Sequence, residues 1–428
     1  MDKIRIQGGK ILEGSVQIGG AKNAALPLMV ASLLTEDSLV LSNIPHLADI
    51  VTMANLLMQH GVTLDIDGTS LTDEIVSRVI LLNGNNITNR VAPYEIVRKM
   101  RASVWVLGPL LARFGEASVS LPGGCAIGMR PIDMHLAAFE AMGAVTNLKD
   151  GYIHATTNGK KLKGADIHFN KVSVGATINT LMAATLAEGK TTLYNAAMEP
   201  EISDLARCLQ AMGANIEGIG TNTLIIDGVN KLHGAHHKII PDRIEAGTYA
   251  IAASITGGDI ELLNITYDST DSFIEKLLLT GTEIIPTEKG IRVRRKTNHI
   301  KSIDIITQPY PGFATDMQAQ FMALMAVADG SSIISETIFE NRFMHVPEVN
   351  RMGANISING NTAIVRGVER LKGAEVMATD LRASVSLVLA ALVAEGETII
   401  NRVYHIDRGY ERIEEKLASC GALIERIK

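Results

Sequence analysis

The apolar positions of this chain form two kinds of helical run, and short β-branched runs separate them. The first kind is apolar on nearly every face. Residues 24–34, 176–186, 317–328 and 383–394 are mostly Ala, Leu, Met and Val. Such a run predicts a buried helix, since it leaves no polar stripe for water. The second kind is amphipathic and closes on a glycine. Met142-Gly143-Ala144, Met212-Gly213-Ala214 and Met352-Gly353-Ala354 carry this ending, and His60-Gly61-Val62, Thr280-Gly281-Thr282 and Cys420-Gly421-Ala422 are looser copies. Glycine there suits the left-handed backbone that ends a helix. A β-branched run follows each glycine, and the pairs Asp67-Gly68, Asp150-Gly151, Lys289-Gly290 and Asn359-Gly360 predict hairpin turns. Strand-like runs at 38–41, 191–193 and 398–400 stand between the two kinds of helix.

The glycines at 61, 143, 213, 281, 353 and 421 are 82, 70, 68, 72 and 68 residues apart. The chain therefore reads as six repeats of roughly 70 residues each. One repeat is apolar helix, strand, amphipathic helix, strand and hairpin strand. The amphipathic helix can cover a sheet from outside while the apolar helix lies within. The predicted class is α/β: two similar domains, each of three βαβαββ-type repeats around buried inner helices, an inside-out α/β barrel with a cleft between the halves. The later crossing between domains is expected near Ile240-Pro241.

Charge and cysteine usage narrow the function. The formal net charge is −6, from 40 basic and 46 acidic residues. That excludes general nucleic-acid or anionic-membrane binding, which needs a net basic surface. Cys125, Cys208 and Cys420 are odd in number and far apart. They make no disulfide framework or zinc spacing, so a reducing, cytoplasmic setting is expected. Residues 1–10 alternate without the apolar block of a signal peptide. The longest apolar runs, such as 387–394, are far shorter than a membrane span. No metal or cofactor motif appears.

Chemistry concentrates at the starts of the inner helices, which hold Lys22-Asn23, Arg101, Ser173-Val174-Gly175, Glu245, Asp316 and Arg382. Helix N-termini carry unpaired amide donors and a partial positive charge. Several at one cleft would bind anions. The plainer reading of Ser173 and Asp316 is helix capping. That of Lys22, Arg101 and Arg382 is solvated surface charge, because a cation is wrongly signed for an N-terminus. A second segment has Gly123, Gly124 and Gly128 around Cys125, with Arg130 beyond. A lone cysteine is usually an inert hydrophobe, but beside arginine on a glycine-rich loop it is a candidate for chemistry. His135 begins the next helix, and by type alone it reads as structural. Loops around 339–345, 380–382 and 406–410 add Arg342, Arg382 and Arg408. Singly, each reads as a solvated loop charge.

Together these residues resemble the UDP-N-acetylglucosamine 1-carboxyvinyltransferase family of enolpyruvyl transferases. The resemblance rests on Ala21-Lys22-Asn23-Ala24, Met100-Arg101-Ala-Ser-Val-Trp105, Pro-Gly-Gly-Cys125 with Arg130-Pro-Ile-Asp133, and Lys171-Val-Ser-Val-Gly175. It continues through Thr315-Asp-Met-Gln-Ala-Gln320, Glu340-Asn-Arg-Phe-Met-His345, Thr379-Asp-Leu-Arg-Ala383 and Asp407-Arg-Gly-Tyr410, so it spans essentially the whole chain. It implies a domain of residues 22–240 and a second of 1–21 with 241–428. It implies that phosphoenolpyruvate (PEP) contacts Lys22, Asn23, Arg130, Arg342, Arg382 and Arg408. The UDP-sugar would meet Asn23, Arg101, Trp105, Arg130, Pro131, Ile132, Asp133, Met134, His135, Lys171, Val172, Ser173, Val174, Gly175, Asp316 and Ile338. The catalytic set would be Cys125, Asp316, Lys22 and Arg408, with Cys125 as proton donor. The resemblance further implies alkylation by fosfomycin and a place at the first committed step of peptidoglycan synthesis, without cofactor or metal. Two departures are visible: Ala314 where the family often has Pro, and a longer segment over 65–93.

The residue types suit that reaction. PEP is strongly anionic, and Arg forks match carboxylate and phosphate oxygens. Adding a hydroxyl to C2 while C3 gains a proton needs a base and an acid. A thiol with a reference pKa of about 8.5 is mostly protonated at neutral pH and can be the acid. Asp316 can take the hydroxyl proton. Enolpyruvyl transfer to shikimate 3-phosphate is the nearest rival, and a non-enzymatic repeat scaffold is a rival of another class. The cysteine loop, Arg130-Pro131 and Lys171–Gly175 favour a UDP-sugar. The gathering of basic residues at a few motifs disfavours a scaffold.

Overall fold

The computed structural model describes residues 2–72, 75–121 and 132–428, with side chains except those of 67–77 and 269–271. The chain divides into two compact units. One comprises residues 20–121 and 132–240, the other residues 2–19 and Pro241–Lys428. Among the described residues each unit holds three four-stranded sheets.

The sheets repeat one plan. In the unit of residues 20–240, Ser38–Ser42 lies between Ala235–Lys238, parallel to it, and Ile75–Asn83, antiparallel, with Thr63–Thr72 at the edge. Glu116–Ser120 is flanked in the same way by Val91–Ala92 and Tyr152–Thr156, with Val145–Lys149 at the edge. Lys190–Tyr194 is flanked by Asp166–His168 and Thr223–Asp227, with Asn215–Glu217 at the edge. In the second and third sheets the parallel strand precedes the inner helix. In the first it comes from the far end of the unit and ties the third repeat back to the first. The inner helices Lys22–Ala31, Leu107–Phe114 and Val174–Ala184 bury nearly all their side chains in one core.

The other unit follows the plan around Arg243–Thr256, Gln318–Met325 and Ser384–Val393. Two of its strands come from the N-terminus. Lys3–Gln7 runs between Glu397–Asn401 and Leu423–Ile427, antiparallel to both, and supplies the hairpin strand that the sixth repeat lacks. Glu13–Gln17 runs parallel to Asp259–Leu263, where the fourth repeat has no short strand of its own.

All six repeat glycines are left-handed, with φ of 109°, 90°, 100°, 94°, 93° and 95° along the chain. A side chain would strain each of them, which is why glycine recurs there. The hairpin signals fared less evenly. Asp150 and Gly151 both have positive φ, as a tight hairpin requires. Asp67-Gly68 is not a turn: the strand continues to Thr72, with a register shift between Asp67 and Ser70. This longer hairpin occupies the extended 65–93 segment. Gly290 opens the strand Gly290–Arg295. A Cβ there would lie 1.9 Å from the Leu262 carbonyl oxygen, so glycine serves close strand approach at that position. Arg101 opens the 3-10 turn Arg101–Val106, and Asp316 is the second residue of the 3-10 turn Thr315–Met317; both turns lead into inner helices. Among the described residues no helix is long and apolar enough to cross a membrane.

Candidate functional site

Lys22 is the first residue of its helix, and it is buried rather than solvated. Its Nζ lies 3.2 Å from Asp49 Oδ2, and both side chains are less than a tenth exposed. Asp49 belongs to the first turn of the outer helix Ala48–His60. Desolvating an ammonium is costly unless an opposite charge is close, and Asp49 supplies it. Asn23 is half-buried beside Lys22.

Further along this unit, three elements converge. The turn Arg101–Val106 brings Arg101 and Trp105, both half-buried. The helix Asp133–Ala141 brings exposed Asp133 and buried Met134 and His135, with Ile132 half-buried before it. Lys171 is exposed, while Val172, Ser173, Val174 and Gly175 are half-buried at the start of Val174–Ala184. Ser173 is the cap its type predicts, its Oγ accepting from the Ala176 N–H at 3.3 Å. A Cβ on Gly175 would lie 3.3 Å from His135 Nε2 and 3.5 Å from Trp105 Nε1, so both rings meet at that glycine. Burial, then the Arg101 charge, pull the His135 imidazole down to about 4, which leaves it neutral at physiological pH. Cys125, Arg130 and Pro131 lie outside the described residues.

In the other unit Asp316 is not a cap, for the turn Thr315–Met317 has no side-chain capping bond. Its carboxylate instead takes two arginines, with Arg342 Nη2 2.7 Å from Oδ1 and Arg382 Nε 3.2 Å from Oδ2. Both arginines are almost wholly buried, against the solvated reading of their loops. Arg342 also lies over the Phe339 ring at 5.5 Å. The Arg382 guanidinium is 5.7 Å from the Tyr410 ring centre, and its Nη2 lies 4.0 Å from Asp242 Oδ2. Arg408 ends the turn Val403–Arg408 and is half-buried. Glu245 faces Lys416 at 2.6 Å and the Gly19 N–H at 2.8 Å.

Sequence reasoning missed several supporting residues. One is Asp49, for which the only signal is that a cation heading an apolar helix needs a counter-ion. Glu336, which is buried, accepts from Thr307 and Thr315 hydroxyls and from the Ile338 and Phe339 N–H groups. It thereby ties the Ile338 loop to the turn carrying Asp316. Asp380 caps the approach to Ser384–Val393 by accepting from the Arg382 and Ala383 N–H groups at 2.9 Å. Among the described residues no His, Cys, Asp and Glu group could hold a metal ion.

The family model of EPSP synthase (3-phosphoshikimate 1-carboxyvinyltransferase) matches residues 6–417. The chain is 64% identical over 428 residues to a UDP-N-acetylglucosamine 1-carboxyvinyltransferase of Paramagnetospirillum magneticum, covering 100% of this chain and 99% of that protein. It is 61% identical over 427 residues to the protein of that name from Granulibacter bethesdensis, with 100% of each covered. Among solved structures it is similar to the enolpyruvyl transferase NikO from Streptomyces tendae, with TM-score 0.87 and 23% identity over 100% of this chain and 99% of that one. An EPSP synthase from Acinetobacter baumannii gives TM-score 0.75 at 19% identity, with 100% of each covered. At those identities the likeness to both is one of fold.

Proposed function

Because the chain belongs to the EPSP synthase family, we propose that it is an enolpyruvyl transferase, moving the enolpyruvyl group of PEP to the 3'-hydroxyl of UDP-N-acetylglucosamine with release of phosphate. The observation that carries the choice of acceptor is the full-length relationship to proteins named for UDP-N-acetylglucosamine, at well over half of all residues. The EPSP synthase structure, whose acceptor is shikimate 3-phosphate by the family description, is similar only in fold.

The chemistry is an addition followed by an elimination. Asp316, oriented by Arg342 and Arg382, takes the proton of the sugar hydroxyl as its oxygen bonds to C2 of PEP. Cys125 gives a proton to C3. A C3 proton then leaves with the phosphate, and the enol ether remains on the sugar. The buried Arg382 supports an anion site here, with Lys22, Asn23, Arg130, Arg342 and Arg408 completing the PEP contacts. Fixed cations stabilise charge that develops as the phosphate departs. The residues from Arg101 to Trp105, Arg130 to His135 and Lys171 to Gly175, with Asp316 and Ile338, hold the UDP-sugar in this reading. The enzyme works in the cytoplasm at the first committed step of peptidoglycan synthesis, and fosfomycin alkylates the Cys125 thiolate. The test is phosphate release from PEP with each acceptor in turn. UDP-N-acetylglucosamine should support turnover and shikimate 3-phosphate should not; the reverse result overturns the reading.

A further inference from the structure

We propose that Asn179 is a positioning residue of the UDP-sugar site, holding His135 in the tautomer whose proton is on Nε2 and so presenting a neutral N–H donor beside Gly175. That a UDP-sugar occupies the place rests on the function proposed above; the tautomer does not.

Asn179 is fully buried midway along Val174–Ala184, among small and apolar residues. A buried primary amide must find partners for its oxygen and both its hydrogens. Two backbone groups fix which way it points. The Gly108 N–H, which can only donate, gives to Oδ1 at 2.8 Å. The Val104 carbonyl, which can only accept, takes from Nδ2 at 3.1 Å. Turning the amide over would break both bonds. The second Nδ2 hydrogen is then left for His135 Nδ1, 3.1 Å away. A nitrogen that accepts cannot carry the proton, and a neutral imidazole has one donor and one acceptor. The proton of His135 is therefore on Nε2. The ring stays neutral because burial and Arg101 both disfavour its charged form.

A Cβ at 175 would lie 3.3 Å from His135 Nε2, so this nitrogen faces Gly175 at the start of the helix. Trp105 Nε1, which is always a donor, approaches the same point at 3.5 Å. Two neutral donors thus converge at the first turn of the helix Val174–Ala184, whose dipole favours negative charge. The chemistry that fits is an anionic oxygen, such as a phosphate oxygen of the nucleotide sugar. Asn179 also fixes where these elements stand. It joins the turn Arg101–Val106, the helix Leu107–Phe114 and the helix Asp133–Ala141 to its own helix through three bonds. Gly108 admits it, since a Cβ there would lie 2.4 Å from Asn179 Oδ1.

The test uses the whole chain labelled with 15N-histidine, with no substrate present. The His135 signals are identified by their loss in His135→Gln. In the unsubstituted protein Nδ1 should resonate in the unprotonated range and Nε2 in the protonated range. In Asn179→Asp the carboxylate accepts from Nδ1, so Nδ1 should move to the protonated range. The KM for UDP-N-acetylglucosamine should rise about tenfold, as for one lost hydrogen bond, while that for PEP stays unchanged. In the His135→Gln background no imidazole tautomer can change, so Asn179→Asp should raise the UDP-sugar KM by clearly less than in the unsubstituted protein, through the lost Val104 bond alone. A proton on Nδ1 in the unsubstituted protein refutes the proposal, and that spectrum is readable even if the Asp variant does not fold. An equal KM rise in both backgrounds would make Asn179 merely structural. Absence of UDP-sugar turnover in the unsubstituted enzyme would instead count against the proposed function and leave the tautomer standing.

Discussion

Replacing Lys416 by Met would leave a carboxylate buried without its cation. Glu245 is the third residue of Arg243–Thr256, and Lys416 Nζ and the Gly19 N–H both bond to its oxygens, at 2.6 and 2.8 Å. Their side chains are 6% and 22% exposed, so water screens the pair little. At an effective dielectric of about 20 the attraction is roughly 6 kcal/mol, set against a desolvation cost of several kcal/mol per ion. Burial raises the Glu245 carboxyl above its ordinary 4.5, and Lys416 draws it only partly back. Without the ammonium, Glu245 can escape by binding a proton. The cost of that proton is at most about 1.4 kcal/mol for each pH unit above the unfolded value. The loss is then capped near 1.4 kcal/mol at about pH 5.5 and near 4 kcal/mol at about pH 7.5. The sign follows from proton counts. An acid whose folded pKa is raised holds more protons native than unfolded, so stability falls as pH rises from 4.5 through the folded value. Urea denaturation followed by circular dichroism should show a small loss for Lys416→Met at the lower pH and a large one at the higher. Glu245→Gln with Lys416→Met should recover most of the loss, since the amide oxygen still accepts from Gly19. Equal losses at both pH values, or no recovery in the double variant, would refute the reasoning.

Three further outcomes are expected. Cys125→Ser should lower kcat by about 10²–10⁴-fold, the usual worth of a general acid, while Cys125→Asp keeps turnover and escapes fosfomycin; a fully active Ser variant contradicts the proton-donor role. Asp316→Asn should fold normally and bind UDP-sugar, yet turn over about 10²–10⁴-fold more slowly, as steady-state kinetics and calorimetry would show. Lys22→Ala and Arg408→Ala should weaken PEP while calorimetric UDP-sugar binding without PEP stays near normal, and equal loss of both ligands would break that division.

The repeat was legible because it is written in local backbone demands. A left-handed residue after each outer helix requires glycine, and a helix without a polar stripe has to be buried; both signals survive in a single sequence. The strands at Lys3–Gln7 and Glu13–Gln17 were less legible, because their partners lie more than two hundred residues away and pairing leaves no local mark. Asp67-Gly68 misled because a bulge inside a long hairpin uses the same residue types as a turn. At the site, residue type alone left Ser173 and Asp316 equally good caps. Ser173 is one; Asp316 faces Arg342 and Arg382 instead, and only three-dimensional neighbours distinguish them. Asp49, Glu336 and Asn179 were invisible for the same reason: each acts through a partner brought near by the fold.

The reaction itself is tested most directly by product mass in deuterated water. The enzyme is incubated with PEP and UDP-N-acetylglucosamine in D2O, and the product is isolated and weighed by mass spectrometry. Addition to C2 with protonation at C3, then loss of a C3 proton with phosphate, predicts UDP-N-acetylglucosamine bearing an enolpyruvyl group with deuterium on its vinyl carbon. A phosphorylated sugar nucleotide, or an enolpyruvyl product with no deuterium at that carbon, would contradict the addition–elimination account.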